Sequence, residues 1–230
     1  TGALQQNGTG TTVLTGNSTY TGPTTVNAGA LIVNGSLVSA VTVNAGGVLG
    51  GNGSIGGLTL SGGALSPGNS IGTITINGNL VTSSTASYLV EVSPTTADRS
   101  NVSGSASLAG TLVLTRTGGS YQAGRQYVLL NATGGVSGSF AAGDLAGLFG
   151  LTIRGRVSYD ADNVLLDLDT CTISECLPAG SSLNIRNLAS ALDSGLAAAA
   201  PGSTPKQFQD HLASEMKRAA AIIKRAGVKQ

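Results

Sequence analysis

Residues 25–29 read TVNAG, and residues 42–46 read TVNAG again, 17 positions later. Weaker copies follow as TLSGG at 59–63 and TINGN at 75–79. Aligned on Thr25, Thr42, Thr59 and Thr75, the next column holds Val26, Val43, Leu60 and Ile76, all apolar. Beside it stand Asn27, Asn44, Ser61 and Asn77, then Gly29, Gly46, Gly63 and Asn79. A second apolar column runs Leu31, Val48, Leu65 and Val81. A period near 17 with two short β-phrases per repeat is too short for a propeller blade and lacks helical spacing. It predicts a β-solenoid, in which each repeat is one coil and equivalent residues stack about 4.8 Å apart. Stacking then explains every column: aliphatic side chains pile into an internal ladder, Asn and Thr bond along the axis, and Gly or Asn turns the corners.

The rest of the composition agrees. The chain of 230 residues has 35 glycines, 3% aromatics, no tryptophan and 10% charged residues, against about 25% charged in ordinary domains. Residues 1–90 carry no Asp, Glu, Lys or Arg; the first charge is Glu91. A like charge repeated on every coil would repel along a whole face, so a solenoid selects against it. Residues 1–205 hold six basic and nine acidic side chains, and residues 206–230 hold six basic and two acidic. The main body therefore offers no basic footprint for phosphates, which argues against a nucleic-acid partner. No apolar run reaches the roughly 18–20 residues of a membrane span.

The stretch LTGNSTYTGPTTVNAGALIVNGSL (14–37), followed by GGLTLSGGALSPGNSIGTITINGNL (56–80), resembles the autotransporter-associated β-strand repeat in passenger domains of bacterial type V secreted proteins. SPGNSIGTITINGN (66–79) is its most specific part. The resemblance implies a right-handed parallel β-helix at the cell surface or secreted, with adhesin-like display as its role and a precursor associated with the outer membrane. From Ser87 the pattern shifts to β-runs such as SYLVEVS, SLAGTLVLTRT, QYVLLNATGG and VSYDADNVLLDL, separated by turn residues. This region resembles the autochaperone portion of passengers, which implies a cap that assists folding of the coils. The expected organisation is all-β: solenoid coils over 1–92, a β-rich cap over 93–170, a linker over 171–202 and a short α-helical tail over 203–230.

Chemistry is sparse. Asp160 and Asp162 flank a turn, and Asp167 and Asp169 alternate with leucines on one strand face. They are the weak candidates for a Ca²⁺ site or for a glycan-cleaving carboxylate pair. A solvated strand face with an Asx turn is the plainer reading, because the Gly and distal Glu of an EF-hand loop are missing. The glycine-rich runs lack the helix start and Lys of a phosphate loop, and the sole histidine, His211, lies in the tail, far from most serines. The sequence thus assigns no catalytic residue and no cofactor, and reads as non-enzymatic, with a glycan-active β-helix enzyme as the alternative. Its partner is expected to be a host or neighbouring-cell surface ligand, a glycan among the candidates, with membrane contact only through a translocator barrel.

Cys171 and Cys176 read as a small disulfide loop of an oxidising compartment. Leu183, Ile185, Leu188, Leu192 and Leu196 suggest an amphipathic helix, and NIRNLASALDSG resembles the stretch that precedes an autotransporter's helical linker. Residues 203–230 read as a well-punctuated helix, with Thr204 as N-cap, Pro205 at the first position and Gly227 at the stop. They loosely resemble the C-terminal helix of tripartite tricarboxylate-type solute-binding receptors, through Thr204, Pro205, Phe208, Leu212 and Gly227 among others. A chain without a leader or a barrel, ending in such a helix, is expected to be a piece of a longer precursor or a fusion.

Overall fold

The computed structural model describes residues 2–198, and the tail helix expected over 203–230, with the receptor resemblance, lies outside them. The chain divides into two compact units, Thr1–Gly143 with Gly155–Leu168, and Asp144–Arg154 with the chain from Asp169 on.

The larger unit is a stack of coils, each with three strands rather than two. The first four coils are β1 (Leu4–Gln6), β2 (Thr11–Leu14) and β3 (Asn17–Ser18); β4 (Thr24–Val26), β5 (Gly29–Val33) and β6 (Ser36–Leu37); β7 (Val41–Asn44), β8 (Gly47–Gly51) and β9 (Ser54–Ile55); β10 (Leu58–Ser61), β11 (Ala64–Pro67) and β12 (Thr73–Ile76). Wider coils follow as β13 (Leu80–Thr82), β14 (Ser87–Val92) and β15 (Arg99–Val102), then β16 (Ala106–Leu108), β17 (Thr111–Arg116) and β18 (Arg125–Ala132). The last turn holds β19 (Val136–Gly138) and β20 (Ala141–Ala142), and a hairpin of β21 (Ile153–Tyr159) and β22 (Asn163–Thr170) extends the third sheet. Among the described residues the strands of successive coils pair in parallel; isolated antiparallel bridges join Asn44 to Gly62 and Gly51 to Gly68, and β22 runs antiparallel to β18 in the third sheet. The fold is the solenoid that the repeat predicts, a parallel β-helix as the family resemblance implies, and its parallel coils continue past residue 92 to Ala142.

The register shows where the column alignment holds and where it slips. Val26, Val43 and Leu60 are successive partners, all buried, and each contributes about 1.5–3 kcal/mol on leaving water. The next partner of Leu60 is Thr82, not Ile76. Ile76 sits on the third sheet between Ile55 and Val102, and Asn77 follows it at that corner. The TINGN phrase mimics TVNAG because both carry an inward aliphatic before a turn, so composition alone cannot assign the sheet. Likewise Leu31 stacks on Leu49, not Val48, and Leu65 stacks on Tyr88, not Val81. One extra turn residue causes the first slip: Gly29 pairs with Gly47 rather than Gly46.

From Thr24 the successive partners in one column are Val41, Leu58, Leu80, Ala106 and Val136, so the coil grows from 17 residues to 30. Filling follows circumference. Narrow coils are packed with Val, Leu and Ile; wider ones need rings, and Tyr88, Tyr127 and Phe140 are buried there. Tyr88 and Phe140 stand 5.4 Å apart, and the Tyr88 hydroxyl donates to the Leu129 carbonyl at 2.6 Å while its oxygen lies 3.0 Å from Ser100 Oγ, which is free to donate to it. Burial pushes that hydroxyl's pKa upward.

In the smaller unit, Cys171 and Cys176 are joined by a disulfide, and Asp193 accepts bonds from the Ile173 and Ser174 amides of that loop at 2.7 and 2.9 Å. Asp193 lies on α1 (Leu183–Ala198), which Ser182 caps. The apolar stripe is not as the sequence suggests: Leu183 and Ile185 are exposed, while Ala189 is buried.

Candidate functional site

Two places carry polar side chains in an organised arrangement. The acidic group is the first. Asp160 closes the β21–β22 turn, accepting from the Asp162 and Asn163 amides at 2.9 and 2.8 Å. Those bonds, led by the Asp162 amide, hold its carboxyl below the ordinary range. Asp167 accepts from Gln126 Nε2 at 2.7 Å and Ser158 Oγ at 2.5 Å, and pairs with Arg156 at 3.4 Å. Its lone pairs are thus engaged by neighbouring strands. Asp162 is exposed and Asp169 half-buried. No cluster of three metal-ligating side chains occurs among the described residues.

The second place is the loop after β11, residues 67–72, read PGNSIG. Its shape is forced. Gly68 has φ +87° and lies against Ser70, and a Cβ on Gly72 would stand 1.8 Å from Asn52 Oδ1. Asn residues of successive coils pin one side: Asn34 Oδ1 accepts from the Asn52 amide at 3.2 Å and Asn69 Nδ2 at 3.0 Å, and Asn52 Oδ1 accepts from the Thr73 amide at 3.1 Å. Asp98 pins the other. Buried at 1% exposure, it accepts from the Gly72 amide at 2.8 Å and the Glu91 amide at 2.7 Å. Desolvation outweighs those two donors and pushes its pKa up to about 6. The specific PGNSIG phrase is therefore a corner that a carboxylate from the next coil locks in place.

Beside the loop is an open cavity of about 470 Å³ lined by Ile32, Ser66, Pro67, Asn69, Ser70 and Glu91. Gly50 stands between Ile32 and Ser66 in register, and a Cβ there would meet the Ser66 carbonyl at 2.9 Å and Ile32 Cδ1 at 3.0 Å, so its lack of a side chain lets Ile32 pack over the strand. Column reading of the sequence missed this site. The signal for it was the pair NGSL (34–37) and NGSI (52–55), which marks the third strand and its Asn corner.

The repeat over residues 4–33 matches the family model described as the passenger-associated transport repeat. A 59-residue stretch, 24% of the chain, is 54% identical to an adhesin, the BmaC autotransporter of Brucella suis. Over 150 residues, 60% of the chain, it is 32% identical to an extracellular serine protease of Serratia marcescens. The matches span 2% and 14% of those two relatives. With its stacked parallel coils, the chain is an autotransporter passenger segment, a cell-surface or secreted protein.

Proposed function

We propose that this segment is non-enzymatic and adhesin-like, holding flat β-faces outward for contact with another surface. The 54% identity with an adhesin autotransporter carries this reading. The stack supports it, since the outward row Val13, Ile32, Gly50 and Ser66 is uncharged and leaves Val13 53% exposed. The acidic strand lends no support to the glycan-cleaving alternative, because Asp160 and Asp167 are spent on turn and cross-strand bonds. The hairpin β21–β22, with Arg154 and Arg156 on its outer strand, has the charge that blunts an exposed sheet edge, which supports a capping role for this region in passenger folding.

The similarity to a serine protease favours one competing reading, hydrolysis. Beads coated with the purified chain should bind cultured epithelial cells above albumin-coated beads, and the chain should release no peptide from fluorescent casein. Casein cleavage that serine-directed inhibitors abolish, without cell binding, would replace the display reading with the hydrolytic one.

A further inference from the structure

We infer that the cavity beside the PGNSIG loop is a subsite for a lysine side chain presented by a partner polypeptide. The inference rests on the adhesion reading and names a partner class for it. Its chemistry follows from which groups around the loop are already committed. A turn of this kind ordinarily points free amides at its concave side and attracts anions. Here four of the donors are taken: the Gly72 and Glu91 amides by Asp98, the Gly68 amide by the Gly51 carbonyl at 2.9 Å, and the Asn69 Nδ2 by Asn34. Among the lining residues the one charged group is the Glu91 carboxylate, flanked by the serine hydroxyls and the Asn69 side chain. Only a 3.4 Å contact from Ser70 Oγ reaches Glu91, and among the described residues no cation pairs with it.

The floor points the same way. Ile32 and Pro67 are aliphatic and give the cavity an apolar floor. A straight four-carbon stem lies along such a floor and delivers its ammonium to a carboxylate, which is how lysine covers apolar surface. An amino sugar suits it less well, since no aromatic ring lines the cavity to stack on the sugar.

The test is a titration of the ¹⁵N-labelled chain with Nα-acetyl-lysine methylamide, its Nε-acetylated form, and glucosamine, followed through the amides of Gly68, Ser70 and Glu91. Saturable shifts with the lysine derivative alone are expected, weakened up to about fivefold in Glu91→Gln, as suits one partly exposed charge pair. Ile32→Ala should weaken binding while leaving its salt dependence unchanged, and circular dichroism melts confirm that both variants fold. Equal shifts with the Nε-acetylated form, unaltered affinity in Glu91→Gln, or tighter binding of glucosamine would each overturn the inference. Cell binding by the beads that persists with no lysine response would sink this subsite and leave the adhesion reading standing.

Discussion

Replacing Asp98 with Asn tests whether burial or hydrogen bonding governs the carboxylate that locks the PGNSIG corner. Two backbone donors at 2.7 and 2.8 Å favour the charged form; 1% exposure opposes it, and the balance leaves a pKa of about 6. In the unfolded chain the same group titrates near 3.9. The folded pKa is thus raised, so above pH 6 both states are ionised and the fold carries the full cost of the buried charge. As pH falls through 6 the native state takes up the proton first, and stability increases until about pH 4. Between pH 7.5 and 4.5 the gain is about 2 kcal/mol at 1.36 kcal/mol per unit. The Asn variant has no such titration, and one of its two terminal atoms now faces a backbone N–H, a mismatch of about 1–3 kcal/mol. Urea unfolding of both proteins at four pH values gives the difference curve directly. The wild type should gain about 2 kcal/mol on the variant as the solution is acidified. Parallel curves, or a wild type that loses ground below pH 6, would show that the two amides outweigh desolvation and refute the reasoning. Asp160 and Asp193, whose amide bonds lower their pKa values, titrate below this window and are common to both proteins.

Gly72→Ala places a Cβ against Asn52 Oδ1 and should cost about 1–3 kcal/mol in urea unfolding, with loss of the Thr73 amide bond. Tyr88→Phe strands the Leu129 carbonyl and should cost about 1–3 kcal/mol at unchanged secondary structure, read by circular dichroism. Asp167→Asn keeps its acceptor oxygen and loses a partly exposed ion pair, so its unfolding midpoint should shift by less than about 1 kcal/mol, with no bound Ca²⁺ detected in either protein by calorimetry.

The parallel stack was legible in the first two TVNAG phrases because coils of equal length keep register residue by residue. The second apolar column slipped already at Gly29, which pairs with Gly47, and the first ended at Leu60, where the coil lengthens and Thr82 replaces the expected Ile76 as neighbour. Sequence periodicity sees a fixed interval, whereas stacking tolerates any loop whose ends return to the same edge. The third sheet escaped notice for another reason. β3, β6 and β9 are two residues each, too short to show alternation, and their Asn-Gly corners read as ordinary turns. The cavity was illegible because its walls come from β5, β11, the following loop and β14, which only the register brings together. Asp98 drew no attention in the sequence, since its partners are backbone amides that leave no side-chain signature.

The absence of charge before Glu91 divides the rod electrically as well as compositionally. Its first four coils contain no carboxylate, ammonium, guanidinium or imidazole side chain for acid or ionic strength to address. Neighbouring coils interact only with one another, so loosening must start somewhere and travel. Under an acidity or salt challenge that starting point is confined to the fifth coil and beyond, and any fraying enters the stack from that side, running toward an insensitive end.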